Sequence, residues 1–190
     1  MNRILITSVA CVFAHFLSGQ SSMALPIQGS VNVRPYSVGP TGPVAHDPNI
    51  GNAFNFATAA FDQIGIAVNN LGSGTIIQDD DDSSGAWTGT EFRDSLNGQD
   101  PLGSPAGSVL VYYVANFTGA VAQTWSDEDT NPGIIIQAAR NNDTLAHELG
   151  HLMLNEWRWR SVEDGGTGGI HSNVANDLMA TSAGGLRNVP

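Results

Sequence analysis

The pentapeptide His147-Glu148-Leu149-Gly150-His151 constrains this chain most, because it has the pattern H-E-x-x-H. On a helix, side chains four residues apart lie on the same face, so His147 and His151 can bind one Zn²⁺ through ring nitrogens. Glu148 lies between them and is then the candidate general base for a water molecule, rather than a ligand. The pentapeptide predicts a catalytic site whose cofactor is a single Zn²⁺.

The residues around the pentapeptide favour a helix. Apolar residues recur at helical spacing, at Leu145, Ala146, Leu149, Leu152 and Met153. Asp143 or Thr144 can cap the start of this helix, and Asn141 and Asn142 indicate a loop just before it. The metal-binding pattern therefore has the helical context that it needs.

The N-terminus has the pattern of a secretory signal peptide. Arg3 precedes an apolar run over residues 4–17, and the small residues Ser22 and Ala24 occupy positions −3 and −1 of a cleavage site before Leu25. We expect residues 1–24 to be a signal peptide and residues 25–190 to be a single catalytic domain, secreted to the extracellular space or the periplasm. Cleavage would remove Cys11, the only cysteine, so the mature domain would contain no disulfide.

The charge of the chain excludes several classes of partner. Seven basic residues, all arginine, stand against 18 acidic ones, for a net charge of −11. Such a charge repels nucleic acid and anionic membrane surfaces. We expect neither a nucleic-acid partner nor integral membrane association, and we expect a monomer.

Strand and helix patterns interleave along the chain, which predicts the α+β class with α/β-like features. Apolar alternation predicts a strand over residues 31–38, where Pro35 would mark an edge position or the end of the strand. A helix is predicted over residues 52–64. Further strands are predicted over 66–68, 109–115, 119–125 and 133–137, with 109–115 at the centre of the sheet.

Residues 70–107 are rich in Gly, Ser, Asp and Asn, and this composition predicts a long irregular excursion on the surface. Within it, the four carboxylates of Asp79–Asp82 could coordinate Ca²⁺. Like charges in a row are more often a solvated loop, and we favour that interpretation.

A catalytic zinc site needs a third protein ligand besides the two histidines. His171 follows the glycine-rich stretch 165–169, which permits a chain reversal that could return this histidine to the metal. Glu156, Glu163 and Asp164 are alternative oxygen ligands. His46, in a Pro/Gly-rich loop before the first helix, is interpreted as a bystander.

The segment Thr144–His151, His171, and the stretch Asn176-Asp177-Leu178-Met179 together resemble the metzincin clan of zinc metallopeptidases. In that clan, H-E-x-x-H-x-x-G-x-x-H is followed by a tight turn that contains a methionine beneath the metal. The resemblance implies His147, His151 and His171 as ligands, Glu148 as the base and Met179 as the Met-turn residue. The chain departs from the clan pattern at Leu154, in place of the glycine, and at Trp157, in place of the third histidine.

The resemblance also implies a fold and a substrate. The fold would be a single domain with a twisted mixed sheet, a backing helix, an active-site helix and a short C-terminal subdomain. A peptide or protein substrate would lie extended along the edge strand 119–125, against Gly119, Ala120, Val121 and Ala122. The implied function is that of a secreted zinc-dependent endopeptidase. The alternatives are an inactive secreted zinc-binding protein and a zinc hydrolase that acts on a non-peptide amide or ester.

Overall fold

The computed structural model of the chain describes residues 29–40, 50–80, 84–125, 131–138 and 142–154. The elements within these ranges are β1 (Gly29–Gly39), α1 (Ile50–Asp62), β2 (Ile66–Asn70), β3 (Gly74–Ile77), α2 (Gly89–Glu91, continued by a π-helical turn over Phe92–Leu96), β4 (Val109–Val114), β5 (Ala122–Trp125), β6 (Gly133–Gln137) and α3 (Thr144–Leu154). The predicted signal peptide and C-terminal subdomain lie outside the described residues.

One mixed sheet contains all the described strands, in the order β2-β1-β4-β6-β5, and β3 also pairs with β1. Every pairing is parallel except that of β5, which runs antiparallel to β6 at one end of the order. The strand β4, with the sequence VLVYYV, is buried at every position, as expected of a central parallel strand. The predicted mixture of helices with a mixed sheet is confirmed.

Pro35 lies inside β1, which corrects the prediction that it would mark an edge or end the strand. On one side β1 pairs with β4; on the other, β2 pairs as far as Val33 and β3 begins opposite Tyr36. The Val33 carbonyl accepts a hydrogen bond from the Leu71 N–H on that second side (N···O 2.9 Å). Backbone polar groups alternate in direction along a strand, so the Pro35 nitrogen points to the same side. It falls in the gap between β2 and β3, where the missing N–H costs no ladder hydrogen bond.

Side chains of the sheet alternate between two apolar layers, one on each face. The first layer packs the sheet against α1 and α3, and its fully buried members from the strands include Val33, Val111 and Ile134. The second layer packs Tyr36, Leu110, Tyr112 and Ile135 against residues from the segment between β3 and β4. Both faces are therefore covered, and α3 lies on the same face as α1.

The segment 70–107 is built into the fold, which corrects the prediction of an irregular surface excursion. It contains β3 and α2, and its side chains Trp87, Phe92 and Leu96 are buried in the second apolar layer. A capping box between Thr88 and Glu91 starts α2. Local composition did not indicate this because the large buried side chains among its described residues, Ile76, Trp87, Phe92 and Leu96, are widely spaced in a polar background.

The predicted backing helix is displaced by two residues, since α1 spans Ile50–Asp62 rather than 52–64. It ends before Gly65, whose φ of 74° is a left-handed conformation that glycine adopts without strain. Among the described residues, no helix is both long and apolar enough to cross a membrane.

Candidate metal centre

The helix α3 carries the H-E-x-x-H pattern, as its apolar spacing predicts. Its first hydrogen bond runs from the His147 N–H to the Asp143 carbonyl (N···O 2.9 Å). Leu145, Ala146 and Leu149 are fully buried in the first apolar layer. The helix packs against α1, β5 and β6, and this packing sets the rotation of the helix relative to the sheet.

The two histidines of α3 converge on one point. The Nε2 atoms of His147 and His151 lie 3.1 Å apart, and their rings are nearly perpendicular, at 89°. Two nitrogens that bind one tetrahedral zinc at about 2.0–2.1 Å lie roughly 3.3 Å from each other. The observed separation thus suits a pair of ligands to a single ion.

Glu148 completes a buried cluster that can hold a metal ion. One ligand atom from each of His147, Glu148 and His151 lies within 4.8 Å of the others, and each residue is only 7% exposed. Burial of three ionisable groups together is costly unless they are paired or bind a metal. Among the residues that the structure describes, this cluster is the candidate metal centre.

The carboxylate of Glu148 is held by the hydroxyl of Thr124, which donates a hydrogen bond to Glu148 Oε2. Burial raises the pKa of Glu148 to about 7, and the hydrogen bond from Thr124 acts in the opposite direction. A general base works best when its pKa lies near the working pH. A bound cation would lower this pKa, because it favours the charged carboxylate.

The strand β5 lies beside the metal cluster and is the last strand in the order of the sheet among the residues that the structure describes. The Gln137 N–H donates to the Val121 carbonyl (3.0 Å), so the backbone of Val121 faces β6. Hydrogen-bonded and non-hydrogen-bonded pairs alternate between antiparallel strands. With Ala122 opposite Ile136 and Thr124 opposite Ile134, the N–H and C=O groups of Ala122 and Thr124 point away from β6.

The four residues predicted to bind substrate have different positions at this edge. Ala122 begins β5, whereas Gly119, Ala120 and Val121 precede it in a bend, where Gly119 has a φ of 90°. The strand is thus shorter than the predicted 119–125. Their role in substrate binding stays a prediction.

Thr124 is a site residue that no sequence motif indicates. A signal was present: along β5, Ala122 and Thr124 alternate with Gln123 and Trp125, so a polar residue shares the face of an alanine. Trp125 packs on the second apolar layer, whereas Ala122 packs on the first. The contact with Glu148 required the pairing of β5 with β6, which strand alternation alone does not reveal.

Several predicted site residues lie outside the described residues: the third ligand His171, the Met-turn residue Met179, the alternative ligands Glu156, Glu163 and Asp164, and His46. The structure therefore leaves their roles as predictions. The described part of the site is the pair of histidines, the glutamate and its threonine partner.

Two carboxylates of the acidic stretch Asp79–Asp82 are described. Asp80 is buried, and its Oδ2 accepts hydrogen bonds from the Ser84 hydroxyl (2.9 Å) and the Gly85 N–H (3.0 Å). These contacts fasten the loop that leads towards Trp87. Asp79 is exposed, but the burial of Asp80 corrects the interpretation of the stretch as a solvated loop at that residue. Calcium binding here stays an untested alternative.

Compared with known proteins, the sequence matches no protein-family model and no curated protein. The geometry of the cluster on α3 is accordingly the basis for any functional assignment.

Proposed function

We propose that this chain is a secreted zinc-dependent endopeptidase of the metzincin type. One observation carries the proposal: a buried pair of histidine Nε2 atoms, 3.1 Å apart, lies beside a buried glutamate that an edge strand holds by a hydrogen bond. A structural zinc site is closed by four protein ligands and needs no base. A glutamate between two histidine ligands instead suits hydrolysis.

The donor set fits zinc. Neutral imidazole nitrogens are preferred zinc ligands, and a catalytic site keeps a position open for water or substrate beside three protein ligands. His147 and His151 would hold the ion, with His171 proposed as the third ligand. When bound, zinc supplies a Lewis acid that polarises a carbonyl and lowers the pKa of water.

Glu148 would act as general base and then as general acid. Its carboxylate accepts a proton from the water that attacks the peptide carbonyl, and it then delivers that proton to the leaving amine nitrogen as the C–N bond breaks. Burial raises the pKa of Glu148 to about 7 in the metal-free protein, and a bound cation would lower it, so that the carboxylate is charged near neutral pH and can accept the proton. Because Oε2 already accepts a hydrogen bond from the Thr124 hydroxyl, we assign the proton transfers to Oε1.

The substrate would add to the sheet as an extended strand beside β5. The outward N–H and C=O groups of Ala122, which is partly exposed, would pair with its backbone, which provides affinity without sequence selectivity. In this arrangement the scissile bond would lie beside the helix that carries the base, since α3 packs against β5.

The test compares Glu148→Gln with the unmodified protein in peptide-library digestion and metal analysis of the same preparations. The amide keeps the size of the side chain but cannot take up the proton. Turnover should fall by a factor on the order of 10² or more, while zinc content stays near one per chain. Glu91→Gln is the matched control: Glu91 accepts from the Thr88 N–H (2.6 Å) in the capping box, and an amide oxygen can replace it.

Other outcomes of this experiment would contradict the proposal in different ways. Loss of zinc together with turnover would make Glu148 a ligand rather than the base. Unchanged turnover would assign the hydrolysis to another protein in the preparation. Zinc binding without hydrolysis of any peptide by the unmodified protein would favour a zinc-binding protein or a hydrolase of non-peptide amides or esters.

A further inference from the structure

Thr124 lies between the edge strand and the candidate base. Its hydroxyl donates to Glu148 Oε2 across 24 residues of chain, and its side chain is buried, with 1% of the residue exposed. Hydrogen bonds to an ionised acceptor are roughly twice as strong as neutral ones. The orientation of the Glu148 carboxylate therefore depends on β5 as well as on α3.

The backbone polar groups of Thr124 and its side chain point in different directions. Thr124 pairs with Ile134 at a position where its N–H and C=O face away from β6. With 1% of the whole residue exposed, this main chain is covered as well, and the hydroxyl contacts the base. A glutamate has three side-chain torsions, and without a donor its carboxylate would sample several orientations.

We propose that Thr124 is a positioning residue that holds one carboxylate oxygen of Glu148, so that the other oxygen faces the substrate at β5. This inference rests on the proposed peptidase function. Thr124 does not touch the reacting atoms through its side chain; it acts through Glu148.

The first experiment compares Thr124→Val with Thr124→Ser. Valine keeps the branched shape and removes the hydroxyl, whereas serine keeps the hydroxyl. For Thr124→Val, kcat should fall on the order of 10-fold. KM should change by less than about 2-fold, because the backbone groups that pair with substrate remain. Thr124→Ser should recover most of kcat, and zinc content should be equal in all three proteins.

The second experiment measures the same contact without catalysis, in protein treated with a chelator. Thr124→Val should lower the thermal unfolding midpoint by about 2–8 °C, because a buried carboxylate loses its donor. Thr124→Ser should lower it less. An unchanged midpoint in Thr124→Val would show that the hydrogen bond does not form, and would overturn the proposal.

A double variant separates positioning from a general structural role. If Thr124 acts only through Glu148, the variant Thr124→Val/Glu148→Gln should have the residual kcat of Glu148→Gln alone. A further loss of rate in the double variant would overturn the proposal, and so would equal losses of kcat in Thr124→Val and Thr124→Ser. Unmodified kcat in Thr124→Val would overturn positioning and leave the peptidase function intact. An unmodified protein without peptidase activity would overturn both.

Discussion

Two buried tyrosines fasten the segment between β3 and β4 to the sheet. The Tyr36 hydroxyl donates to the Asp100 carboxylate and accepts from the Leu102 N–H (3.3 Å). The Tyr112 hydroxyl donates to the Gln99 carbonyl (3.1 Å). The rings of the two tyrosines stack, with centroids 6.0 Å apart. The Tyr36 hydroxyl thus joins a central strand to a residue 64 positions later in the chain, and the Tyr112 hydroxyl joins another to a residue 13 positions earlier.

These contacts predict a loss of stability in alkali. Burial, followed by the hydrogen bond to Asp100, raises the pKa of Tyr36 to about 12, whereas tyrosine in an unfolded chain titrates near about 10. The contribution of Tyr36 is fully present below the unfolded pKa and is lost as pH rises through the folded one. The free energy of unfolding in urea should therefore decline between about pH 10 and pH 12.

Tyr36→Phe provides the comparison for this pH dependence. The variant should be less stable near neutral pH by about 1–3 kcal/mol, because Asp100 loses a donor. Its free energy of unfolding should also decline less steeply in alkali than that of the unmodified protein, because Tyr36 no longer titrates. Some decline should remain, because Tyr112 is present in both proteins. Parallel declines in the two proteins would show that Tyr36 is not the group responsible.

At the scale of elements, the backbone groups of the strand β5 point alternately towards β6 and away from it. The backbone of Gln123 is opposite Ile135 and faces β6, whereas the backbone of Ala122 faces away. A proline removes one N–H donor, so its effect depends on the edge to which that N–H points. This alternation allows substrate pairing to be tested separately from the integrity of the sheet.

We expect Ala122→Pro to lower kcat/KM on the order of 10-fold, because the substrate strand loses one backbone hydrogen bond. Its unfolding midpoint should remain close to that of the unmodified protein. Gln123→Pro, one residue away, should instead lower the midpoint, because the lost N–H belongs to the ladder with β6. Steady-state kinetics and thermal unfolding on both variants provide the test. Equal kcat/KM in Ala122→Pro and unmodified protein would place the substrate elsewhere.

At the scale of the whole molecule, the candidate metal site lies between α3 and the sheet, and the proposed ligand His171 would add the chain beyond residue 154. Metal binding to a preformed site stabilises the folded state by mass action, by about 2.7 kcal/mol when free metal is 100 times Kd. Zinc should therefore raise the unfolding midpoint of metal-free protein, and a chelator should reverse the change. His147→Ala should abolish this response.

The same titration identifies the third ligand. His171→Ala should weaken zinc affinity sharply and reduce the shift in midpoint, whereas His46→Ala, a histidine interpreted as a bystander, should retain both. Zinc affinity is measured by competition with a chelator of known strength. Full affinity in His171→Ala would move the assignment to Glu163, Asp164 or another group of the C-terminal region.

Features that depend on neighbouring residues could be predicted from the sequence. The histidines and glutamate of α3 lie within one helical turn, so the i, i+4 spacing alone brings His147 and His151 together. The continuous apolar run of β4 likewise predicts a strand buried on both faces. The position of Gly65 similarly predicts the end of α1. In each case the physical cause is local, because it acts over a few residues of backbone.

Features that depend on strand pairing were decided by the tertiary structure. Pro35 is tolerated inside β1 because β2 and β3 happen to pair on either side of it. Trp87, Phe92 and Leu96 are buried because they pack against the second apolar face of the sheet. Thr124 contacts Glu148 because the register of β5 on β6 turns its side chain towards α3. Composition and periodicity do not determine such contacts, since the partners are remote in sequence and their contact depends on the pairing of the whole sheet.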